Sequence, residues 1–400
     1  MKFYSLKIND IRHETADCVS IAFDVPNELK SKFQFVQGQY LTLKATIEGE
    51  EVRRSYSLCT SPLENEWRVA IKKVTEGVFS TFANEQLAKG MLMEVGTPEG
   101  RFFPPSPPKG GTPQKTVINE TNTSLNTSIN GVHDKTNSKT NAPLSAPFDS
   151  VPPFGGLGEI FFASGSGITP ILSILKTALY SDPTCSVTLI YGNRTAKSVI
   201  FREEIEGLKN KFMGRFRVIY ILSRERVDAE WQCGRIDTEK VNVIFEKIIK
   251  ENSIGSRYFI CGPESMTKEV ISVLEERNVP KEQVHFELFG TAKKKAKKNS
   301  STDTSNPIIA TAQVKLDGVR FDVPMREGEN VLDAALAVGA DLPFACKGGV
   351  CCTCRAKLLE GAVEMEVNYA LDHHEVEAGF ILTCQAIPTT AHLVVDFDVK

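Results

Sequence analysis

Three stretches of the chain carry regular apolar periods, and the two stretches between them carry none. Over residues 1–103, apolar and polar positions alternate in short runs, Val19 to Phe23, Tyr40 to Ala45 and Trp67 to Val74 among them. A two-residue period marks strands with one buried face, and helical spacing is scarce here, so a small antiparallel barrel is expected. Over 157–290 the pattern changes. Ile160 to Ala163, Ser186 to Tyr191, Phe216 to Leu222 and Arg257 to Cys261 read as strands. They alternate with helical periods over Ile171 to Tyr180, Phe201 to Phe212, Thr238 to Lys250 and Ser265 to Arg277. That order predicts an α/β domain, a parallel sheet with helices on both faces. From residue 308 to 400 a hairpin, AQVKLDGVRFDVP with Asp317-Gly318 at its turn, precedes a helix in NVLDAALAVG, a cysteine-rich loop and late strands. That is a small α+β domain.

The unpatterned stretches read as connections. Residues 104–156 open with PPSPPKGGTP and continue rich in Thr, Asn and Ser, with too little apolar surface to offset the entropy of ordering. A disordered, low-complexity insertion is expected there. Residues 291–307, TAKKKAKKNSSTDTSNP, read as a flexible lysine-rich tether.

Charge narrows the partners. The net charge of −3 argues against nucleic acid. It is unevenly spread: residues 308–400 hold 14 acidic and 7 basic side chains, a charge of −7, which leaves about +4 for the rest. An acidic module on a mildly basic body suits steered docking between redox partners, and equally suits plain solubility. No run reaches the ~18 apolar residues of a membrane helix. The start, MKFYSLKINDIRHE, lacks the apolar core of a signal peptide. A cytoplasmic protein without membrane insertion is expected. In that compartment ten cysteines point to metal more than to disulfides.

Five of those cysteines gather near the end of the chain. PFACKGGVCCTC, Pro343 to Cys354, sets Cys346, Cys351 and Cys354 in a C-x4-C-x2-C spacing, and LTCQA adds Cys384. This is the plant-type [2Fe–2S] pattern, in which four thiolates complete two iron tetrahedra. Gly348 and Gly349 allow backbone N–H groups to reach the sulfurs. Zinc would favour two C-x2-C knuckles, and only one is present. Cys352 reads as a free thiol beside the ligands. The stretch from Asn330 to Ala386 resembles plant-type ferredoxins, which implies a β-grasp fold; that family usually has a small residue where Cys352 stands.

Other motifs are similar to the ferredoxin–NADP reductase superfamily. RRSYSL, Arg53 to Leu58, resembles its R-x-Y-S motif. The resemblance implies an FAD site with Arg54 on the pyrophosphate, Ser55 and Tyr56 against the flavin, and Ser57 near its N5. An arginine fork matches phosphate oxygens, and an aromatic ring matches the isoalloxazine face. In EGVFS, Gly77, Val78, Phe79 and Ser80 fall where the family opens a short helix onto the pyrophosphate, with Glu76 in place of a usual glycine. GTPEGRF, Gly96 to Phe102, resembles the family's closing barrel strand.

SGSGITP, Ser164 to Pro170, lies between a strand and a helix, where Gly165 and Gly167 permit a tight turn and close approach of a dinucleotide pyrophosphate. YGNRT, SRE and CGPESM follow in the superfamily's order. By resemblance, Thr169, Pro170 and Cys261 lie near the nicotinamide, and Gly262, Pro263 and Met266 shape its pocket. Ser223 and Arg224 stand where NADPH-using relatives hold the 2′-phosphate, which favours NADPH over NADH. In HFELFG, Glu287 and Phe289 would finish the nucleotide domain beside the flavin. Ser57, Cys261 and Glu287 are the expected catalytic residues, whereas His373 and His374 read as solvated.

The order of FAD domain, nucleotide domain and C-terminal ferredoxin is that of reductases of multicomponent oxygenases, steroid hydroxylases and membrane desaturases. It implies an oxidoreductase passing electrons from NAD(P)H through FAD and [2Fe–2S] to the metal centre of an oxygenase or desaturase. The tether would let the ferredoxin domain swing. A reading from another class is a non-enzymatic redox sensor.

Overall fold

In the barrel, alternation becomes six antiparallel strands: β1 (Phe3–Thr15), β2 (Cys18–Asp24), β3 (Tyr40–Ile47), β4 (Glu50–Ser57), β5 (Trp67–Lys72) and β6 (Leu92–Gly96), in the order β4-β3-β6-β1-β2-β5. The computed structural model describes residues 1–103, 158–249, 255–289 and 307–399. The expected insertion over 104–156 and all of the expected tether except Pro307 lie outside these residues. The two edge strands of the barrel meet where Leu58 bridges Val69 and the Cys59 amide donates to the Arg68 carbonyl at 2.9 Å. Closure removes both sheet edges from solvent. Leu6, Ile8, Ile21, Leu41, Leu43, Val69 and Val95 fill the interior, each almost fully buried. A short helix, α1 (Val78–Glu85), packs against β3, β4 and β5. One expectation is corrected: residues 97–102 form no closing strand. β6 ends at Gly96, and after it only Glu99 makes a bridge, to Tyr40. Pro98, which lacks an N–H, and Gly100 at φ +113° break the ladder there.

The second sheet is wholly parallel, with β7 (Gly158–Ser164), β8 (Ser186–Asn193), β9 (Phe216–Leu222), β10 (Arg257–Gly262) and β11 (Val284–Leu288) in the order β11-β10-β7-β8-β9. Its strands are continuous apolar runs because helices cover the sheet. These are α2 (Ile168–Ser181), α3 (Arg202–Lys211), α4 (Thr238–Ile244) and α5 (Glu264–Glu276). The helix expected over Thr238 to Lys250 changes character partway, since α4 passes into a π-helical turn at Phe245–Ile249. The Asp237 carboxylate caps the start of α4 by accepting from the Lys240 amide at 2.9 Å. β7 and β10 are the strands between which the chain order reverses, and their C-terminal ends frame a crevice.

The third sheet holds β12 (Ile308–Leu316), β13 (Val319–Arg326), β14 (Arg355–Glu360), β16 (Phe380–Leu382) and β18 (His392–Asp396), ordered β13-β12-β18-β14-β16. β15 (Val363–Met365) and β17 (Ala386–Pro388) pair separately. The β12–β13 turn uses Asp317 at φ 50° and Gly318 at φ 77°, the left-handed pair a tight hairpin requires. Helix α6 (Val331–Ala337), capped by the Asn330 side chain, lies over this sheet, and the short α7 (His373–Glu377) precedes β16. Val314, Val323, Leu332, Leu382 and Leu393 make a core of their own. Among the described residues no helix is long and apolar enough to cross a membrane.

The described residues pack as one unit. The barrel joins the parallel sheet through α2. Ser173 donates to the Thr60 carbonyl at 2.6 Å, and Ser61 and Thr177 share a hydroxyl contact at 2.8 Å. Lys176, 2 % exposed, bridges Glu64 of the barrel at 2.8 Å and Glu204 of α3 at 2.7 Å. Truncating a buried ion-pair partner strands the opposing charges, so Lys176→Ala is expected to destabilise the fold by about 3 kcal/mol or more. Urea unfolding of the loaded protein measures this, and a loss within about 0.5 kcal/mol, the range of ordinary surface changes, would show that the triad is not what joins these parts.

Candidate functional site

Four sets of side chains converge where the three sheets meet. The first is the expected FAD cradle. On β4, Arg54 is exposed, and one guanidinium nitrogen donates to the Arg53 carbonyl at 2.7 Å, leaving the rest of its fork free to meet phosphate. Ser55 contacts Thr42 at 3.2 Å, and the half-buried Tyr56 ring lies 5.7 Å from Phe79. α1 begins beside this strand. Gly77 caps it, and a side chain there would come within 2.4 Å of both Ser80 Oγ and Val74. The Ser80 hydroxyl is engaged inside the turn, accepting from the Val74 amide and donating to the Gly77 carbonyl. What the turn offers an anion is therefore its first-turn N–H groups, Val78 to Ser80. Phe79 itself is buried in the barrel core, and Val78 is exposed. Glu76 keeps the left-handed backbone, at φ 56°, that a glycine would adopt without cost. The turn thus survives the substitution, and these residues fit an FAD pyrophosphate.

The second set surrounds a cavity of about 1170 Å³ at the crevice between β7 and β10. Gly165 and Gly167 line its floor, and a Cβ on Gly167 would lie 2.1 Å from the Cys261 carbonyl oxygen. Gly262, Pro263 and Met266 form one wall, Ser223 and Arg224 another, and Phe289 a further edge. Thr169, Pro170 and Cys261 are buried and do not line the cavity. Sequence reading missed Arg194, Arg235 and Asn193, all of which do. Asn193 ends β8 and Arg194 follows it directly, so for these two the available signal was polar residues at the end of a parallel strand, whereas Arg235 follows the left-handed Gly234 well after β9 and carried no such signal. The Asn193 side-chain nitrogen is buried without a hydrogen-bond partner. A cavity with an orphaned donor at Asn193 and several cations suits a phosphorylated dinucleotide.

The third set joins the first two. Ser57 Oγ donates to Glu287 Oε2 at 3.5 Å, and Glu287 is the cross-strand partner of Cys261. Burial pushes the Glu287 carboxyl up to about 8 and the Cys261 thiol well above its ordinary range. The three expected catalytic residues therefore stand in one row, with the acid neutral near pH 7.

The fourth set is the cysteine loop. Among the described residues no three metal-binding side chains gather around a single point. The thiols instead form two pairs. Cys351 lies 3.1 Å from Cys346, and Cys354 is hydrogen-bonded to Cys384. Two pairs suit two irons, each held by two protein thiolates. The Gly348 amide donates to Cys346 Sγ at 3.3 Å, and Gln385 Nε2 to Cys384 Sγ at 3.5 Å. Within each pair the bond lowers one thiol, Cys346 to about 6 and Cys384 likewise downward, and raises its partner, Cys351 or Cys354. Cys352 points elsewhere, donating to the Ala370 carbonyl at 3.1 Å. His373 and His374 stand exposed on α7.

Comparison with known proteins follows the same division. Residues 5–103 match the oxidoreductase FAD-binding domain family, 161–271 the oxidoreductase NAD-binding domain family, and 314–389 the 2Fe-2S iron-sulfur cluster binding domain family. The chain is 37% identical over 399 residues to a subunit of the 1,2-phenylacetyl-CoA epoxidase of Escherichia coli (strain K12), covering 100% of this chain and 98% of that one. It is 31% identical to the ferredoxin reductase component of 3-ketosteroid-9-alpha-monooxygenase from Rhodococcus rhodochrous, over 98% of this chain and 96% of the relative. Among solved structures, phthalate dioxygenase reductase shares the fold, with a TM-score of 0.53 at 20% identity over 99% of this chain and 98% of that one.

The two sulfur pairs make a direct prediction. Cys384→Ser is expected to remove most bound iron and the visible iron–sulfur absorption, whereas Cys352→Ala keeps both. Iron analysis and low-temperature magnetic resonance of the reduced protein read the result, and loss of iron in Cys352→Ala would reassign the ligand set.

Proposed function

Since this chain belongs to the family of oxygenase-linked reductase components that includes its 1,2-phenylacetyl-CoA epoxidase relative, we propose that it feeds electrons from NADPH to the di-iron centre of a phenylacetyl-CoA epoxidase-type monooxygenase. It is an oxidoreductase with FAD-, nicotinamide- and [2Fe–2S]-binding domains. The observation that carries the reading is convergence. Ser57 of the barrel, Glu287 and Cys261 of the parallel sheet, and the cysteine loop, which Tyr40 reaches from the barrel, all belong to one packed unit. When bound, FAD supplies a two-electron hydride acceptor and the cluster a one-electron carrier, which together convert hydride chemistry into single electrons.

The chain's own residues do the rest. Arg54 and the first-turn amides of α1 hold the FAD pyrophosphate, and Tyr56 lays its ring against the flavin. Ser57 holds a hydroxyl near the hydride-accepting edge. Glu287, kept neutral by burial, accepts from that hydroxyl at Oε2 and adds no negative charge where hydride arrives. Gly165, at φ 54°, lines the cavity, Gly167 and Gly262 let the turn after β7 pack closely on β10, and Thr169, Pro170 and Cys261 lie buried behind these lining glycines. Ser223 and Arg224 take the 2′-phosphate, and Arg194 and Arg235 add cations to the same cavity. None of the ten cysteines is disulfide-bonded, which supports a reducing, cytoplasmic setting.

Anaerobic addition of NADPH is expected to bleach flavin and iron–sulfur absorption together, and NADH to do so more slowly. A protein in which neither band responds to either nucleotide would overturn the reductase reading.

The Glu287 pKa adds a pH signature. Its ordinary value is 4.5 and burial raises it to about 8, so between these values the native state holds a proton that the unfolded chain has released. The contribution of Glu287 to stability therefore falls as pH rises from about 4.5 to about 8 and levels off above. Hydride transfer slows as pH passes about 8 and a negative charge appears at Glu287. Glu287→Gln, neutral throughout, is expected to remove that contribution, leaving the parallel one of Glu99, and to abolish the alkaline slowing of hydride transfer; an unchanged alkaline limb in that variant would show that the Glu287 charge does not govern the step.

A further inference from the structure

Tyr40 occupies a place that none of the cofactor motifs explains. It opens β3 and is the direct cross-strand partner of Ser57, so the two side chains project from the same face of the sheet. Its backbone is fixed on the other side by the bridge to Glu99, with the Tyr40 amide donating at 2.7 Å and the Glu99 amide returning a bond at 3.0 Å. Gly100 closes over the ring, and a side chain at that glycine would stand 2.9 Å from it. The ring leaves the barrel and enters the cysteine loop, where it packs with Ala345 and Cys351, and Cys346 lies against the same cluster. There the Tyr40 hydroxyl meets Thr353 Oγ1 at 2.8 Å. Both residues are almost fully buried, and Thr353 lies between Cys351 and Cys354 in the chain.

Resting on the reading above that this chain holds FAD and a [2Fe–2S] cluster, we propose that Tyr40 is a positioning residue that fixes the cysteine loop against the flavin side of the barrel through its hydroxyl bond to Thr353. The physical argument is one of directionality. Apolar contact tolerates sliding, but a buried hydroxyl pair is satisfied at only one separation, and the Thr353 hydroxyl, which also meets the Glu99 carboxyl and Cys351, is held in one place by these bonds together. With FAD and cluster bound, two single electrons for each hydride would pass between the barrel and the loop, whose separation this contact sets. A small error in the gap is therefore expressed in rate. Docking itself does not rest on Tyr40. Arg53, 7 % exposed, is held between Phe3 at 5.1 Å and Phe344 at 4.6 Å and pairs with Asp341 of the ferredoxin module at 3.1 Å. Arg101 pairs with Glu375 of the same module. Removing the Tyr40 hydroxyl thus loosens the register without separating the modules.

The test uses the holoprotein with Tyr40→Phe, Thr353→Val, the double variant and Thr353→Ser. In anaerobic stopped-flow with NADPH, flavin bleaching is expected to keep its wild-type rate, while cluster bleaching slows roughly tenfold in each single variant, in line with small misplacements of reacting groups. The double variant is expected to be no slower than Thr353→Val alone, because that change already deletes the bond that Tyr40→Phe removes, together with those from Thr353 to Glu99 and Cys351. Thr353→Ser, which keeps a hydroxyl, is expected to restore the wild-type rate. Hydrogen exchange of the oxidised protein without nucleotide gives a readout independent of turnover: exchange rises over residues 349–355 in Tyr40→Phe and stays unchanged over β12 and β13. Wild-type cluster rates in both single variants, multiplicative slowing in the double, or unchanged exchange over 349–355 would overturn the positioning role. Failure of the wild-type flavin and cluster to bleach at all would instead overturn the reductase reading on which it rests.

Discussion

Groups that exchange hydride must be held almost in contact, and those that exchange single electrons at a short, fixed gap, yet this chain distributes their binding residues over three modules with separate apolar cores. The contacts between modules therefore carry the constraint on which the rest depends. They are largely polar, buried and directional. Lys176 between Glu64 and Glu204, Ser173 on the Thr60 carbonyl, and Tyr40 on Thr353 each satisfy groups that could not be left unpaired away from water. An apolar interface of the same area would hold the modules together but would specify their register less sharply.

The parallel sheet shows how topology supplies a site before side chains are considered. Reversal of strand order between β7 and β10 opens the crevice, and the close packing of Gly167 on the Cys261 carbonyl lets the turn after β7 lie flat on the sheet. Chemistry is then added at the edge of that crevice by β11, whose Glu287 faces both the neighbouring strand and the barrel's Ser57. A carboxylic acid is kept neutral there by position, with no dedicated partner needed beyond a serine hydroxyl.

The two ends of the electron path are built differently. At the nucleotide end a wide cavity offers cations and glycines to a ligand that must come and go. At the cluster end the thiols are buried, paired and braced by neighbouring amides, as a permanently held group requires. Arg53 and Arg54 illustrate the same division within two residues: one guanidinium is enclosed between aromatic rings and fixes a module, while its neighbour is exposed and free for phosphate.

The sequence by itself determined the modules and their chemistry. Strand alternation, the change to helical periods and the C-x4-C-x2-C spacing are local properties, legible because each depends on residues only a few positions apart. GTPEGRF misled because resemblance to a strand does not reveal that Pro98 and Gly100 interrupt pairing. Glu76 stood out as a departure from the motif, yet only the backbone shows that the turn keeps its left-handed residue. Tertiary structure alone decided which distant residues meet. Arg194 and Arg235 join one cavity across forty residues of chain, and Tyr40 reaches Thr353 across 313. Burial of Glu287, and hence its proton, exists only once barrel and sheet are packed. Contacts of that kind follow from how finished surfaces fit, and no periodicity along the chain records them.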